Sequence, residues 1–188
     1  MKDDRIGPAR EGYIFLALFV ASIPAANWLI QHVGTVCVPN GPCLIPVAPG
    51  LTAPSGVLMI GAALVLRDLV QRRLGLNWAM AAIVIGAALS AIIAPPTLVL
   101  ASAAAFLLSE IADLAVYTPL QKRGLVLAVF ASSVAGLVID SIVFLYLAFG
   151  SLDHLEGQVV GKAWMVLLAL PVIRWIKHRD ERQHLAAG

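Results

Sequence analysis

Six apolar stretches, each about long enough to cross a bilayer, follow one another along this chain with little sequence between them. They run over 12–33, 51–66, 77–94, 97–117, 124–149 and 157–176. A helix rises 1.5 Å per residue, so roughly 20 apolar residues cross the hydrocarbon layer. Inside that layer every backbone N–H and C=O must bond within its own segment, which leaves helices as the economical solution. The pattern predicts an all-α membrane protein, a single six-transmembrane-helix bundle over residues 1–188. Only 13% of the residues are charged, about half the share of a soluble domain, which excludes a disordered chain and a water-soluble enzyme. A net charge of +2 gives no footing for nucleic acid.

The second stretch is short, and Pro49, Pro54 and Gly56 crowd its start; Pro95 and Pro96 alone separate the third from the fourth. Charge placement supports the count. Lys2, Arg5 and Arg10 precede the first stretch, and Arg67, Arg72 and Arg73 follow the second. Lys122 and Arg123 follow the fourth, and Arg174, Lys177, Arg179 and Arg182 follow the sixth. With six crossings all of these fall on one side, and Lys162 alone lies inside a span. The positive-inside rule then places both termini in the cytoplasm. Ser22-Ile23-Pro24-Ala25-Ala26 also has the look of a secretory cleavage site, but Trp28, Leu29 and Ile30 prolong the apolar run beyond it and favour an uncut helix.

Ionisable groups inside spans carry the information in such a chain, because a charge in hydrocarbon is expensive. Glu110 and Asp113 lie in the fourth span, Asp140 in the fifth and Lys162 in the sixth; Arg67-Asp68 is expected at the cytoplasmic end of the second. Glu110, Asp113 and Tyr117 recur at i, i+3 and i+7, so they line one helix stripe, beside Phe106 and Ser109. Glu110 lies about 20 Å along its helix from the outer end. Gln158 and Lys162 are spaced i, i+4, and Asn27 adds an amide to the first span. The structural reading is that Lys162 pairs with Asp140 and fixes helix register. Three acids against one buried base nevertheless leave a carboxylate without an internal cation, and that carboxylate must be neutral, hydrated or answered by a ligand. Glu110 is the candidate, and a solute cavity is the corresponding function.

Other features are weaker. Ala17, Ala21 and Ala25 form a small-residue stripe on the first span, a signature of close helix packing or of a docked partner. Cys37 and Cys43 lie in the uncharged, proline-rich outer loop, where an oxidising compartment permits a disulfide; the loop is either a lid or a simple connector. His178 and His184 sit among charges in the tail, where solvation suffices. No Gly-x-x-x-x-Gly-Lys loop, Gly-x-Ser-x-Gly elbow, His-Glu-x-x-His helix or zinc-site spacing occurs. The expectation is therefore a non-enzyme without a cofactor.

Five segments occur in order: Pro54-Ser55-Gly56-Val57-Leu58, Arg67-Asp68-Leu69-Val70-Gln71, Ser109 to Tyr117, Asp140-Ser141 and Gly157 to Lys162. Together they resemble the vitamin uptake transporter family, which includes the queuosine precursor transporters. The resemblance covers most of the span region and implies six helices arranged like the substrate-binding subunits of energy-coupling-factor importers. It also implies a bacterial inner-membrane location and uptake of a 7-deazaguanine precursor. A guanine-like edge offers an N–H and an NH2 side by side, and a carboxylate can accept from both. Glu110 is expected to form that fork, Asp140 or Asp113 to meet an aminomethyl cation, and Gln158 and Asn27 to meet the carbonyl and ring nitrogens. Phe106, Tyr117 and Phe144 are candidate stacking surfaces, against the commoner role of simple packing; Lys162 either touches solute or holds Asp140. The expected partners are a deazapurine-like small molecule and membrane lipid, with a second copy or an energising module as further candidates. Two other classes stay open: a binding subunit that depends on a separate ATP-driven module, and a membrane scaffold whose charges are structural.

Overall fold

The computed structural model describes residues 6–38, 41–94, 96 and 98–186. Lys2, Arg5, Pro39, Pro95 and Thr97, the expected start of the fourth span, lie outside the described residues, as does the side chain of His184. Six helices form the bundle: α1 (Ile6–His32), α2 (Val57–Leu74), α3 (Leu76–Ile93), α4 (Val99–Leu120), α5 (Leu125–Phe149) and α6 (Leu155–Ala186). Five of them are long and apolar enough to cross a membrane. The exception is α2, as long as α3 but carrying Arg67, Asp68, Arg72 and Arg73. It is not peripheral: α2 packs against α1, α3, α5 and α6.

The second apolar stretch differs from expectation. Leu51–Pro54 is not helical but forms β3, the third strand of a small antiparallel sheet with β1 (Val36–Cys37) and β2 (Cys43–Ala48). Three prolines between 46 and 54 explain this, because each removes a backbone donor that a helix interior requires. The all-α expectation therefore holds for the bundle and not for its outer loop. The helix starts at Val57 and runs on to Leu74, so Arg67 and Asp68 sit well inside it rather than at its cytoplasmic end.

Cys37 and Cys43 face each other across β1 and β2 and are disulfide-bonded. The sheet lies on the bundle rather than projecting from it. Ser55 Oγ donates to Leu29 O at 2.7 Å, and Trp164 Nε1 donates to Val47 O at 3.0 Å. Gly157 is required here, since a Cβ at that position would collide with the carbonyl of Thr52.

The opposite end is tied by charge. Arg72 and Arg73 both donate to Asp180, at 2.7 and 2.9 Å, while Arg73 and Arg179 reach Glu11 at 3.2 and 2.6 Å. This clamp joins the N-terminal part of α1 to the C-terminal parts of α2 and α6. Alternating helix directions follow, with the sheet at one end and the basic clusters at the other. Gly75, at φ 92°, makes the α2–α3 joint with a single residue, a conformation that suits glycine alone.

Candidate functional site

The buried polar residues fall into two groups at different depths. The outer group borders a cavity of about 60 Å³ between the helices, to which all six contribute. Asn27 comes from α1, Ser90 from α3, Phe106 and Ser102 from α4, Asp140 and Phe144 from α5, and Gln158 and Lys162 from α6. Pro54 and Gly56 close it on the sheet side. A second cavity of about 450 Å³ lies outside it, between the sheet, the outer ends of α4 and α5, and His154; Pro54 borders both. Phe144 lines the inner cavity and Phe149 the outer, with their rings edge to face at 6.1 Å.

Lys162 is 1% exposed, and its ammonium has three protons and three acceptors. Nζ lies 2.5 Å from Asp140 Oδ2, 2.6 Å from Gln158 Oε1 and 2.8 Å from Ser141 Oγ. No donor is left for a solute, so Lys162 holds the wall and does not present a charge to the cavity. Its geometry also orients the neighbours. An ammonium only donates, so Gln158 must turn its oxygen toward Lys162 and its Nε2 away. Asn27 is fixed in the same way, donating from Nδ2 to Ile23 O at 3.0 Å and leaving Oδ1 without a partner. Among the described residues nothing bonds Asp140 Oδ1 or Gln158 Nε2 either. The cavity wall thus offers a carboxylate oxygen, an amide donor and an amide acceptor, flanked by Phe106 and Phe144.

The deeper group surrounds Arg67, whose guanidinium is fully buried. Nε donates to Glu110 Oε2 at 3.2 Å, Nη1 to Gln71 Oε1 at 3.1 Å and Nη2 to Asp113 Oδ1. Asp68 Oδ1 lies 3.0 Å from Nη2, near enough to pair by charge but too far out of line for a hydrogen bond. Ser132 of α5 donates to Asp68 Oδ2 at 2.6 Å, and Gln71 donates to Thr118 at 3.2 Å. The Tyr117 ring lies 5.7 Å from the guanidinium carbon.

Six of the nine expected site residues therefore line the inner cavity: Asn27, Phe106, Asp140, Phe144, Gln158 and Lys162. Glu110, Asp113 and Tyr117 do not; they are drawn toward Arg67 instead. The expectation that Glu110 lacks an internal cation is corrected by Arg67, a second buried base. The apolar stretch 51–66 puts Arg67 at a helix end, whereas the helix starts six residues later and carries Arg67 inside the bundle. Ser90 and Ser102 also escaped notice, although Ser90 is the lone polar residue of α3 beyond Trp78. Ala17 and Ala21 face outward and Ala25 is half-buried, so the small-residue stripe is not a packing seam within the bundle.

Residues 90–176 match a family described as "Putative vitamin uptake transporter". The resemblance to that family is borne out. The matched segment is just under half of the chain and runs from the end of α3 into α6. It holds Glu110, Asp113, Asp140, Gln158 and Lys162, while Asn27, Arg67 and Asp68 lie outside it. No curated protein and no solved structure matches the chain. Fold and family match together support a multi-pass membrane protein with a likeness to a transporter family.

Proposed function

We propose that the protein imports a flat, nucleobase-like solute of the 7-deazaguanine class, a queuosine precursor, and binds it in the inner cavity. In this reading all six helices cross the bacterial inner membrane, α2 included, with its charges turned inward and both termini cytoplasmic. Asp140, not Glu110, accepts from the N–H/NH2 edge, and Gln158 Nε2 donates to the ring carbonyl beside it. Asn27 Oδ1 takes a further N–H, and the base stacks between Phe106 and Phe144. The observation that carries the reading is the pair of unpartnered groups, Asp140 Oδ1 and Gln158 Nε2, held side by side by one fully bonded lysine. That order of acceptor and donor complements a guanine-like edge, whereas a wall of apolar side chains would not discriminate it.

Size adds a condition. A cavity of about 60 Å³ is well below the roughly 300 Å³ at the lower end of ligand pockets, and the outer cavity of about 450 Å³ is within that range. The solute enters through the outer cavity, and Phe144 and Phe149 part to admit it. The test is expression in a host that neither makes nor imports the precursor. Queuosine should return to its tRNA with this gene alone, and Asp140→Asn should abolish the return while the protein still inserts.

A second reading, a binding subunit served by a separate ATP-driven module, is favoured by the outward-facing Ala17 and Ala21, which leave α1 open to close approach by another helix. Queuosine that returns only when such a module is co-expressed selects it.

A further inference from the structure

The Arg67 group carries more acid than its base can answer. Asp68, Glu110 and Asp113 surround one guanidinium, and all four residues are at most 1% exposed. Fully ionised, the group would hold two uncompensated negative charges. Like charges this close and this deeply buried do not all stay ionised. A further observation points the same way. Asp68 Oδ1, Asp113 Oδ2, Tyr117 Oη and Ser133 Oγ are buried and have no hydrogen-bond partner among the described residues. Asp113 and Tyr117 are one turn apart on α4. Asp113 Oδ2 lies 3.2 Å from where a Cβ on Gly136 would stand, Ser133 is one turn below Gly136, and its neighbour Ser132 bonds Asp68.

Among the described residues no other charge supplies the deficit. Of the elements packed on α4, α3 carries no ionisable residue, and α5 brings only Asp140, paired with Lys162, and the outward-facing Tyr146. On α2, Arg72 and Arg73 bond Asp180 of α6 and Glu11 of α1 in the separate clamp with Arg179. The remaining described charges near that end, Arg10, Lys122, Arg123, Arg174, Lys177, Glu181 and Arg182, make no bond to the group. A metal ion is a poor occupant. The carboxylates are arrayed around a guanidinium that would repel it, and no three acid, His or Cys side chains among the described residues converge to hold one.

We infer that the Arg67 group is a proton-binding site: two protons reside on its three carboxylates at neutral pH, on oxygens such as Asp113 Oδ2 and Asp68 Oδ1 that lack a donor. Their gain or loss changes which carboxylates Arg67 holds. Glu110 lies one helical turn from Phe106 on α4, so a change in that pairing bears directly on the cavity wall. Proton binding itself is independent of the solute; what the proton drives rests on the importer reading.

The experiment is infrared spectroscopy of the full chain in liposomes at neutral pH, without solute, read at the deuterium-sensitive C=O stretch of protonated carboxyl groups. Wild type should show the band. Glu110→Gln and Asp113→Asn should each lower it by about half, since two acids beside one guanidinium need one proton. Arg67→Gln should raise it by about half, because all three acids then need protons. Absence of the band in wild type, or a band indifferent to these substitutions in the variants that fold, overturns the inference. Failure of queuosine uptake would leave this result untouched, so the two claims fail separately.

Discussion

Replacing Lys162 by Met keeps the stem's bulk and removes the ammonium. Asp140 Oδ2, Gln158 Oε1 and Ser141 Oγ lose their donor together. Breaking one side of a buried ion pair destabilises by about 3–5 kcal/mol, because the surviving charge is left without compensation. For a chain of this length each kcal/mol moves the midpoint by about 2–4 °C, so the drop should be about 6–20 °C. Removing both charges in Lys162→Met/Asp140→Asn takes away the orphaned carboxylate while Gln158 and Ser141 still lack a donor. Two neutral hydrogen bonds are worth about 1 kcal/mol each, so the double variant should recover at least about 1 kcal/mol relative to Lys162→Met. Thermal unfolding in one detergent, scanned at one rate, ranks the three proteins. A double variant no more stable than Lys162→Met, or a single variant as stable as wild type, would refute the account of this pair.

Gly136→Ala puts a methyl 2.7 Å from Leu64 Cδ2 and 3.2 Å from Asp113 Oδ2, and should lower stability by about 1–3 kcal/mol in the same thermal assay. Paired Cys37→Ser and Cys43→Ser changes open a short loop, with a loss of about 2 kcal/mol read as a lower midpoint that reductant reproduces in wild type. A reporter fused at either end should be active only in the cytoplasm, and activity outside would reverse the assigned orientation. Ala105→Leu, placed where the inner cavity has its wall, should abolish uptake with near-normal expression.

Much of the bundle was legible because hydrocarbon leaves so few options: a run long enough to cross must be a helix, and the basic residues mark its ends. Helices α3, α4 and α5 differ from the apolar runs by a few residues only. The failure at α2 has a local cause. Apolar composition alone made 51–56 look membrane-spanning, and the prolines that make it a strand and turn were noted only as crowding. That shift puts Arg67 at the membrane surface and so conceals that it is the cation Glu110 binds. No spacing rule could have supplied the link, since Arg67 and Glu110 are 43 residues apart and meet only once α2 lies against α4. The Lys162–Asp140 pair was readable because both residues interrupt apolar runs at similar depth. Which oxygen and which amide nitrogen stay unbonded depends on rotamers, and no sequence pattern records those.

The most direct measurement is a binding titration of a 7-deazaguanine precursor against the purified full chain in detergent, with Asp140→Asn and Glu110→Gln alongside. A charge-assisted hydrogen bond of about 1.5–3 kcal/mol converts to roughly a 10- to 150-fold change in Kd. Wild type should bind saturably, Asp140→Asn should weaken by that factor, and Glu110→Gln should stay within a few-fold of wild type. Equal binding by wild type and Asp140→Asn, or binding lost in Glu110→Gln alone, would contradict the placement of the solute at Asp140.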